Sequence, residues 1–310
     1  MRLIRSHGIL AVFVLIAVLL LVAGCGPKVN PSVILDGSIA YTVKRDDVGY
    51  VVITDPQGES EELYSGDETI RGIGTFYEPC LSPDQTRLIA VATIQGLPEL
   101  VMIEFGSPPT YTRITNNRYF EGSPIFTPDG DHIIYSSDIG GDLELYRLNI
   151  SDYKAVAECL TASHGDDTDP VISPDGRFLV YCSDEPGAYD LFCMDLTGEE
   201  PTRRLTDEEG DIASPSFSPD GEFIVYEILR AGNLDIGYVD FENPEHNGYL
   251  ITEDSSDYSP SVSPDGEYLC VISSRDGQND LCLYTWSGDF VRRITDNKDF
   301  EMEARWSFLK

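Results

Sequence analysis

A four-residue motif, Ser-Pro-Asp-Gly, recurs along this 310-residue chain at an almost constant spacing. Three identical copies begin at Ser173, Ser218 and Ser263. A close copy precedes them at Thr127, and in a degenerate copy before that one Gln85 replaces the glycine. Successive copies are 45 or 46 residues apart. A period of this length indicates a repeat architecture in which each period is one structural unit.

The residues around each motif also repeat, and they indicate four short strands per period. An apolar run such as Arg177–Tyr181 follows the motif, and a second run such as Leu191–Leu196 follows a turn. The period closes on a Leu-Thr or Ile-Thr pair such as Leu205-Thr206. Runs of this length, rich in β-branched and aromatic residues, are typical of strands, and no helical apolar spacing competes with them. Each period is therefore predicted to be one blade of a β-propeller.

Fragments at the two ends of the chain complete a sixth blade. Residues 303–307 match the first strand of a period, and Gly37–Tyr41 match the second strand. The predicted fold is all-β: a six-bladed propeller over residues 37–310, with four-stranded antiparallel blades. N- and C-terminal strands share one blade, a closure that leaves no open edge between blades.

The first 24 residues have the pattern of a lipoprotein signal peptide. A basic start, Met1–Arg5, precedes the apolar run Ile9–Ala23 and then Gly24-Cys25. Small residues before a cysteine look like a bacterial lipobox, so Cys25 is predicted to be lipidated and residues 25–36 to form a tether. An uncleaved anchor and an ordinary signal peptide are the alternatives. If Cys25 is lipidated, the mature chain is expected to have no transmembrane helix. We then expect it to be exported and lipid-anchored at the cell envelope, on the periplasmic face of the outer membrane in a two-membrane cell.

Charge and cysteine content narrow the choice of partners and of chemistry. The chain has 54 acidic and 21 basic residues, a net charge of −33, which argues against nucleic acid and favours cationic partners or metal cations. Four of the cysteines, Cys182 with Cys193 and Cys270 with Cys282, lie on predicted hairpins and are candidates for disulfides or for small core residues.

An enzyme of the common motif-bearing classes is not indicated. The sequence contains no Gly-x-Ser-x-Gly nucleophile elbow, no phosphate-binding glycine loop and no His-Glu-x-x-His. We therefore expect a protein without catalytic residues.

The repeated sequence pattern resembles the WD40-like (PD40) repeats of the TolB-type propeller family. The segments that carry the resemblance most clearly are Pro170–Gly176, Pro215–Gly221, Pro260–Gly266 and the final Ala304–Ser307. The resemblance implies the six-bladed fold and a role in the cell envelope beside protein partners, as in the Tol–Pal system. TolB has a further domain before its propeller. Here the predicted tether stands in that place, so the resemblance implies a lipoprotein lacking the N-terminal TolB domain.

Six equivalent positions, just before the predicted first strand of each blade, form the candidate site. Because first strands line the channel of a propeller, these residues are expected to ring one mouth. They are Glu78, Ser123, Asp169, Ser214, Ser259 and Glu303. Oxygen-only ligands suit Ca²⁺, with Glu78, Asp169 and Glu303 as the candidate metal ligands. The alternative is a hydrated acidic funnel.

The predicted function is recognition of a protein or peptide, possessing cationic groups, through this acidic mouth. A carbohydrate-binding or carbohydrate-processing propeller is the alternative. Sugar sites need exposed aromatic rings on loops, and the sequence offers Tyr119, Phe120, Tyr189 and Tyr258 for this.

Lipidation at Cys25 can be tested by metabolic labelling with a fatty acid. We expect the wild-type chain to incorporate the label and Cys25→Ala to lose it, because the thiol is the acceptor in a lipobox. Cys159→Ala is the control and should keep the label. Label that persists in Cys25→Ala would exclude this site.

Overall fold

A computed structural model describes residues 37–46, 48–59, 61–64, 72–154 and 156–307. Within these residues the chain forms 24 strands in six four-stranded sheets and one short 3-10 helix, Ile150–Asp152. The predicted all-β, six-bladed propeller is confirmed. No helix in the described part of the chain is long and apolar enough to cross a membrane. The predicted signal peptide, Cys25 and the tether lie outside the described residues.

Blades are numbered from the one that contains both chain ends. Blade 1 consists of β24 (Phe300–Ser307), β1 (Ser38–Arg45), β2 (Val48–Thr54) and β3 (Glu61–Tyr64). Blade 2 consists of β4 (Ile73–Leu81), β5 (Arg87–Ile94), β6 (Leu97–Glu104) and β7 (Thr110–Arg113). Blade 3 consists of β8 (Glu121–Phe126), β9 (His132–Ser137), β10 (Glu144–Asn149) and β11 (Glu158–Cys159).

The remaining blades follow the chain in the same order. Blade 4 consists of β12 (Asp167–Ile172), β13 (Phe178–Ser183), β14 (Asp190–Asp195) and β15 (Arg203–Arg204). Blade 5 consists of β16 (Asp211–Phe217), β17 (Phe223–Arg230), β18 (Asn233–Asp240) and β19 (Asn247–Ile251). Blade 6 consists of β20 (Asp257–Val262), β21 (Tyr268–Ser273), β22 (Asp280–Thr285) and β23 (Phe290–Arg293).

The hydrophobic core lies between neighbouring blades. One cluster joins Ile125 and Ile134 of blade 3 to Leu179 and Tyr181 of blade 4, and similar clusters join the other neighbours. The second strand of each blade is covered on both faces, which is why its sequence is a continuous apolar run and does not alternate. Burial between blades therefore holds the ring together.

The Ser-Pro-Asp-Gly motif is a side-chain-capped turn between the first and second strands. Ser173 Oγ donates to Asp175 Oδ1 at 2.5 Å and accepts from the N–H of Phe178 at 2.9 Å. Gly176 has φ +80°, and a Cβ there would lie 3.6 Å from Pro128 in the preceding turn. The left-handed backbone is therefore what requires glycine here, since a Cβ at this distance from Pro128 would make an ordinary contact.

Gln85, the departure from the motif, has a left-handed backbone (φ +53°) as the copy predicts. Its Nε2 donates to Ser307 Oγ at 2.8 Å, and its Oε1 accepts from Ser38 Oγ at 3.4 Å. The side chain therefore connects blade 2 to both terminal strands of blade 1. We infer that these contacts offset the roughly 1 kcal/mol that a left-handed non-glycine residue costs.

The predicted hairpin disulfides are not formed, since Cys182, Cys193, Cys270 and Cys282 are free thiols. The strand registers give the reason. Cys270 lies opposite Leu283, and Cys282 lies one pair further along, so that the two thiols belong to different core clusters. Cys182 and Cys193 face the same cluster but are offset by two residues. All four cysteines are buried core residues.

Ring closure depends on Trp306 in β24. Its side chain is 4% exposed and packs in the cluster that joins blades 6 and 1, and its N–H donates to Ser261 Oγ at 2.9 Å. We expect Trp306→Ala to lower the free energy of unfolding by about 3–5 kcal/mol, because it leaves a cavity at the closing junction. Phe300 on the same strand is 46% exposed, and Phe300→Ala should change stability by no more than about 0.5 kcal/mol. Urea unfolding of both variants measures the difference; equal stabilities would contradict the closure role.

Candidate functional site

The six residues predicted to ring the channel occupy one equivalent position in the innermost strands. They lie inside these strands. The prediction from the sequence was a position just before each strand begins. Each adopts a left-handed backbone, with φ between +48° and +55°. The six are Glu78, Ser123, Asp169, Ser214, Ser259 and Glu303.

The left-handed residue marks a break in strand pairing. In blade 4 the register between β12 and β13 shifts between Thr168 and Val171, on either side of Asp169, and other blades shift at the matching place. A bulge of this kind redirects a side chain and leaves a backbone N–H without a ladder partner. Such an N–H needs another acceptor if it is buried.

Carboxylates from the neighbouring blades supply those acceptors. Glu303 Oε2 accepts from the N–H of Glu78 at 2.6 Å, and Glu78 Oε2 accepts from the N–H of Ser123 at 2.5 Å. Asp169 Oδ2 accepts from the N–H of Ser214 at 3.2 Å, while its Oδ1 accepts from Ser123 Oγ at 2.7 Å. Each bond crosses from one blade to the next. The predicted site residues therefore also hold the inner ring together.

Glu227 is a fourth channel carboxylate that was not predicted from the sequence. It lies on β17, and its Oε2 accepts from the N–H of Ser259 at 2.7 Å. Equivalent positions in the other blades carry Thr42, Val91, Ser136, Cys182 and Ile272. The available signal was a single acid inside an apolar strand, Phe-Ile-Val-Tyr-Glu-Ile-Leu.

Glu227 and five of the six predicted residues, all except the buried Ser123, line a central cavity of about 760 Å³. Glu78, Asp169, Glu227 and Glu303 contribute carboxylates, and Arg305 contributes a guanidinium. The cavity extends along the inner strands to the prolines of the five repeated turns and to the aromatic and aliphatic side chains between them. Those prolines are Pro83, Pro128, Pro174, Pro219 and Pro264. The channel thus has an acidic ring and a largely apolar wall.

Burial and crowding shift the acid–base behaviour of the ring. Burial, followed by the negative charge of Glu303, raises the pKa of Glu78 to about 8. Burial raises the pKa of Glu227 to about 7, and Asp169 adds to this effect. The pKa of Glu303 is raised as well, chiefly by burial. Near neutral pH, part of the ring therefore carries protons when no cation is bound.

The predicted Ca²⁺ site stays a prediction. Among the described residues, no group of three or more His, Cys, Asp or Glu side chains has the arrangement of a metal site. Glu78, Asp169 and Glu303 each direct an oxygen to a backbone N–H of the next blade. The second oxygen of Asp169 also accepts from Ser123 Oγ, so the second oxygens of Glu78 and Glu303 are the ones left for a ligand.

The raised pKa of Glu78 predicts that stability falls as pH rises. The folded state binds this proton more tightly than the unfolded chain, so the contribution is present below about pH 4.5 and is lost as pH approaches 8. Glu78→Gln keeps an oxygen acceptor for Ser123 but does not titrate. At pH 8 we expect this variant to be more stable than wild type by on the order of 4 kcal/mol, with the gain vanishing near pH 4.5.

Urea unfolding at several pH values between 4.5 and 8 measures this difference. Glu222→Gln, at an exposed turn position, is the control for loss of one acidic charge. An identical pH slope for Glu78→Gln and wild type would contradict the proton-holding ring.

Comparison with known proteins identifies the fold family. A family model described as PD40, TolB beta propeller domain, matches residues 153–310. TolB from Acinetobacter baumannii is 22% identical with a TM-score of 0.75, covering 89% of this chain and 67% of its own. A candidate TolB from Agrobacterium tumefaciens is 18% identical with a TM-score of 0.67, covering 87% of this chain and 99% of its own.

A more distant similarity is to oligogalacturonate lyase from Vibrio parahaemolyticus. It is 14% identical with a TM-score of 0.56, covering 78% of this chain and 73% of its own. No curated protein sequence matches this chain significantly. Similarities at this level of identity show a shared fold, whereas the family model matches half of the chain directly. From that match and the six-bladed ring, we conclude that this chain belongs to the TolB β-propeller domain family.

Proposed function

We propose that this protein is a non-catalytic, lipid-anchored propeller of the cell envelope that binds a protein or peptide partner through its central channel. The lipobox around Cys25 and the family membership support export and anchoring, at the periplasmic face of the outer membrane in a two-membrane cell. Tol–Pal-like scaffolding is the role that the family suggests.

The observation that carries the proposal is the composition of the channel. A cavity of about 760 Å³ lies within the size range of ligand sites. Its apolar wall, with Phe126, Phe217 and Trp306, suits apolar side chains, and its ring of carboxylates suits an ammonium or guanidinium group. A short segment that carries both kinds of side chain fits this lining.

Proton release would couple to binding. A Lys or Arg entering the ring favours the ionised carboxylates, which lowers the pKa of Glu78 and Glu227 toward ordinary values. The attraction is weakened by salt, since charges are screened beyond about 8–10 Å at physiological ionic strength. Binding should therefore be tighter at low salt and at higher pH.

The carbohydrate alternative has less support from the aromatic residues proposed for it. Tyr258 is engaged within the fold, where its hydroxyl accepts from Asn279 and donates to the carbonyl of Glu301 at 3.3 Å. Tyr189 packs against the core cluster of blades 4 and 5, and Tyr119 is half-buried. Phe120, at 38% exposed, is the most open ring of the four. A sugar-stacking platform of several rings is thus not assembled by these residues.

A photo-crosslinker placed in the channel tests the proposed function in cells of the source organism. Ala213 lines the cavity, and a crosslinking residue there should capture a polypeptide segment with apolar and basic side chains. In a background of Glu78→Gln, Asp169→Asn and Glu303→Gln, capture should fall at least about tenfold, because the cation loses its counter-charges. The fold should persist, since amide oxygens can still accept the N–H bonds.

A crosslinker at Thr110, on the exposed outer strand of blade 2, is the control for non-specific capture. Equal capture in the triple variant and wild type would show that the carboxylates do not hold the partner. Calorimetric heat and a melting shift on adding Ca²⁺ would instead support the metal version. Glycan-array binding without any captured polypeptide would favour the carbohydrate alternative.

A further inference from the structure

The two faces of the propeller are chemically different. The repeated Ser-Pro-Asp-Gly turns and the third-to-fourth-strand turns lie on one face, which we name the turn face. Antiparallel pairing puts the second-to-third-strand turns and the blade-to-blade connections on the opposite face, which we name the loop face. The chain enters β1 at Ser38, on the turn face.

Large apolar side chains are exposed along an arc of the loop face. Phe300 and Val48 belong to blade 1, Leu97 to blade 2, and Phe120 and Ile139 to blade 3, at 37–50% exposure. These three blades are neighbours in the ring. The amide N–H of Phe120 donates to Asp138 Oδ1 at 2.8 Å, in the turn that carries Ile139. We name these five residues the apolar arc.

The arc is continuous with the rim of the channel. Any Cβ at Gly122 would lie 2.7 Å from Phe120 Cε1, so the aromatic ring covers the start of the innermost strand beside Ser123. Exposed bases, Lys44, Arg118 and Lys298, lie among the arc residues. Exposed acids, Asp46, Asp142 and Asp296, lie on the same loops, so the described residues of this half carry charges of both signs.

The other half of the loop face, on blades 4 to 6, exposes one large aliphatic side chain, Leu229 at 43%, and is otherwise acidic. Its exposed carboxylates include Glu185, Glu209, Asp211, Glu253, Asp254 and Asp276. Two arginines of these loops stack on aromatic rings: Arg230 lies 3.7 Å from the ring centre of Tyr249, and Arg275 lies 3.8 Å from that of Phe290. Glu253 pairs with Arg275, and Asp276 pairs with Arg293. The other four acids form no ion pair among the described residues, so their charge is available to a basic partner.

We propose that the loop face is a docking surface for a protein partner whose contact patch places apolar side chains beside Lys and Arg. The apolar part would cover the arc, where burying exposed rings and aliphatic chains supplies binding energy. The basic part would face the acidic half and steer the encounter. This surface is separate from the channel cavity, and the inference does not rest on the channel function.

Two other occupants fit the charge pattern less well. An anionic membrane surface would be repelled by the acidic half. A second copy of this chain would present the same carboxylates and so supplies no cationic surface for them. A protein that combines apolar and basic contacts satisfies both halves at once.

The experiment measures binding of a labelled synthetic helical peptide with a leucine-rich half and a lysine-rich half, by fluorescence anisotropy. A composition-matched peptide with the two residue types alternating is the reference. We expect the two-block peptide to bind more tightly. Leu97→Ser with Ile139→Ser and Phe300→Ser should weaken it at least about tenfold. Glu209→Gln with Glu253→Gln and Asp254→Asn should weaken it and flatten its salt dependence.

Val156→Ser is the matched control, because Val156 is 98% exposed but lies on the turn face. It should leave binding unchanged, and so should Glu222→Gln, which removes one exposed acid of the turn face. Equal binding of both peptides, or no loss in the arc variant, would overturn the proposal. Arc-dependent binding to vesicles of phosphatidylethanolamine and phosphatidylglycerol, or an arc-dependent dimer in sedimentation, would overturn it in favour of a membrane or a second copy.

Discussion

The inner ring depends on one constraint: each innermost strand turns left-handed at one residue, and the N–H freed there needs an acceptor. A buried donor without a partner costs about 1–3 kcal/mol, and the neighbouring blade provides the acceptor through a carboxylate. Glu303, Glu78, Asp169 and Glu227 do this at four of the blade junctions. The bulge also turns these side chains into the channel. Structural and ligand-facing roles therefore coincide in the same residues.

This coincidence explains why the channel is acidic although the repulsion between its carboxylates is reduced. Buried carboxylates of the ring hold protons up to near-neutral pH, as the raised pKa values of Glu78 and Glu227 indicate. The protein thus tolerates four acids around one axis without the full repulsion of four charges. A cationic group entering the ring would replace protons and gain the ionised form.

Buried acids outside the channel bind residues of their own blade. Thr206 Oγ1, from a Leu-Thr pair, accepts from the N–H of Leu191 and donates to Asp190, which also binds Arg204. Arg113 binds the buried Glu99 in the same way in blade 2. The strongly acidic composition therefore includes acids that fasten strands, acids that fasten blades at the channel, and exposed acids on both faces of the ring.

The sequence alone was enough to predict the fold. The Ser-Pro-Asp-Gly motif and the strand-forming segments around it are short local patterns, and they recur once in each blade. The sequence also located the six channel residues, since equivalent positions in a repeat share one place in the structure. Only the tertiary structure decided what those residues contact: the register shift, the left-handed backbone and the bonds across junctions depend on pairs about 45 residues apart or on opposite chain ends. Glu227 was missed because its role arises from the strand beside the bulge, outside the aligned positions. The thiols stayed free because the register set their offsets, which spacing along the chain does not specify.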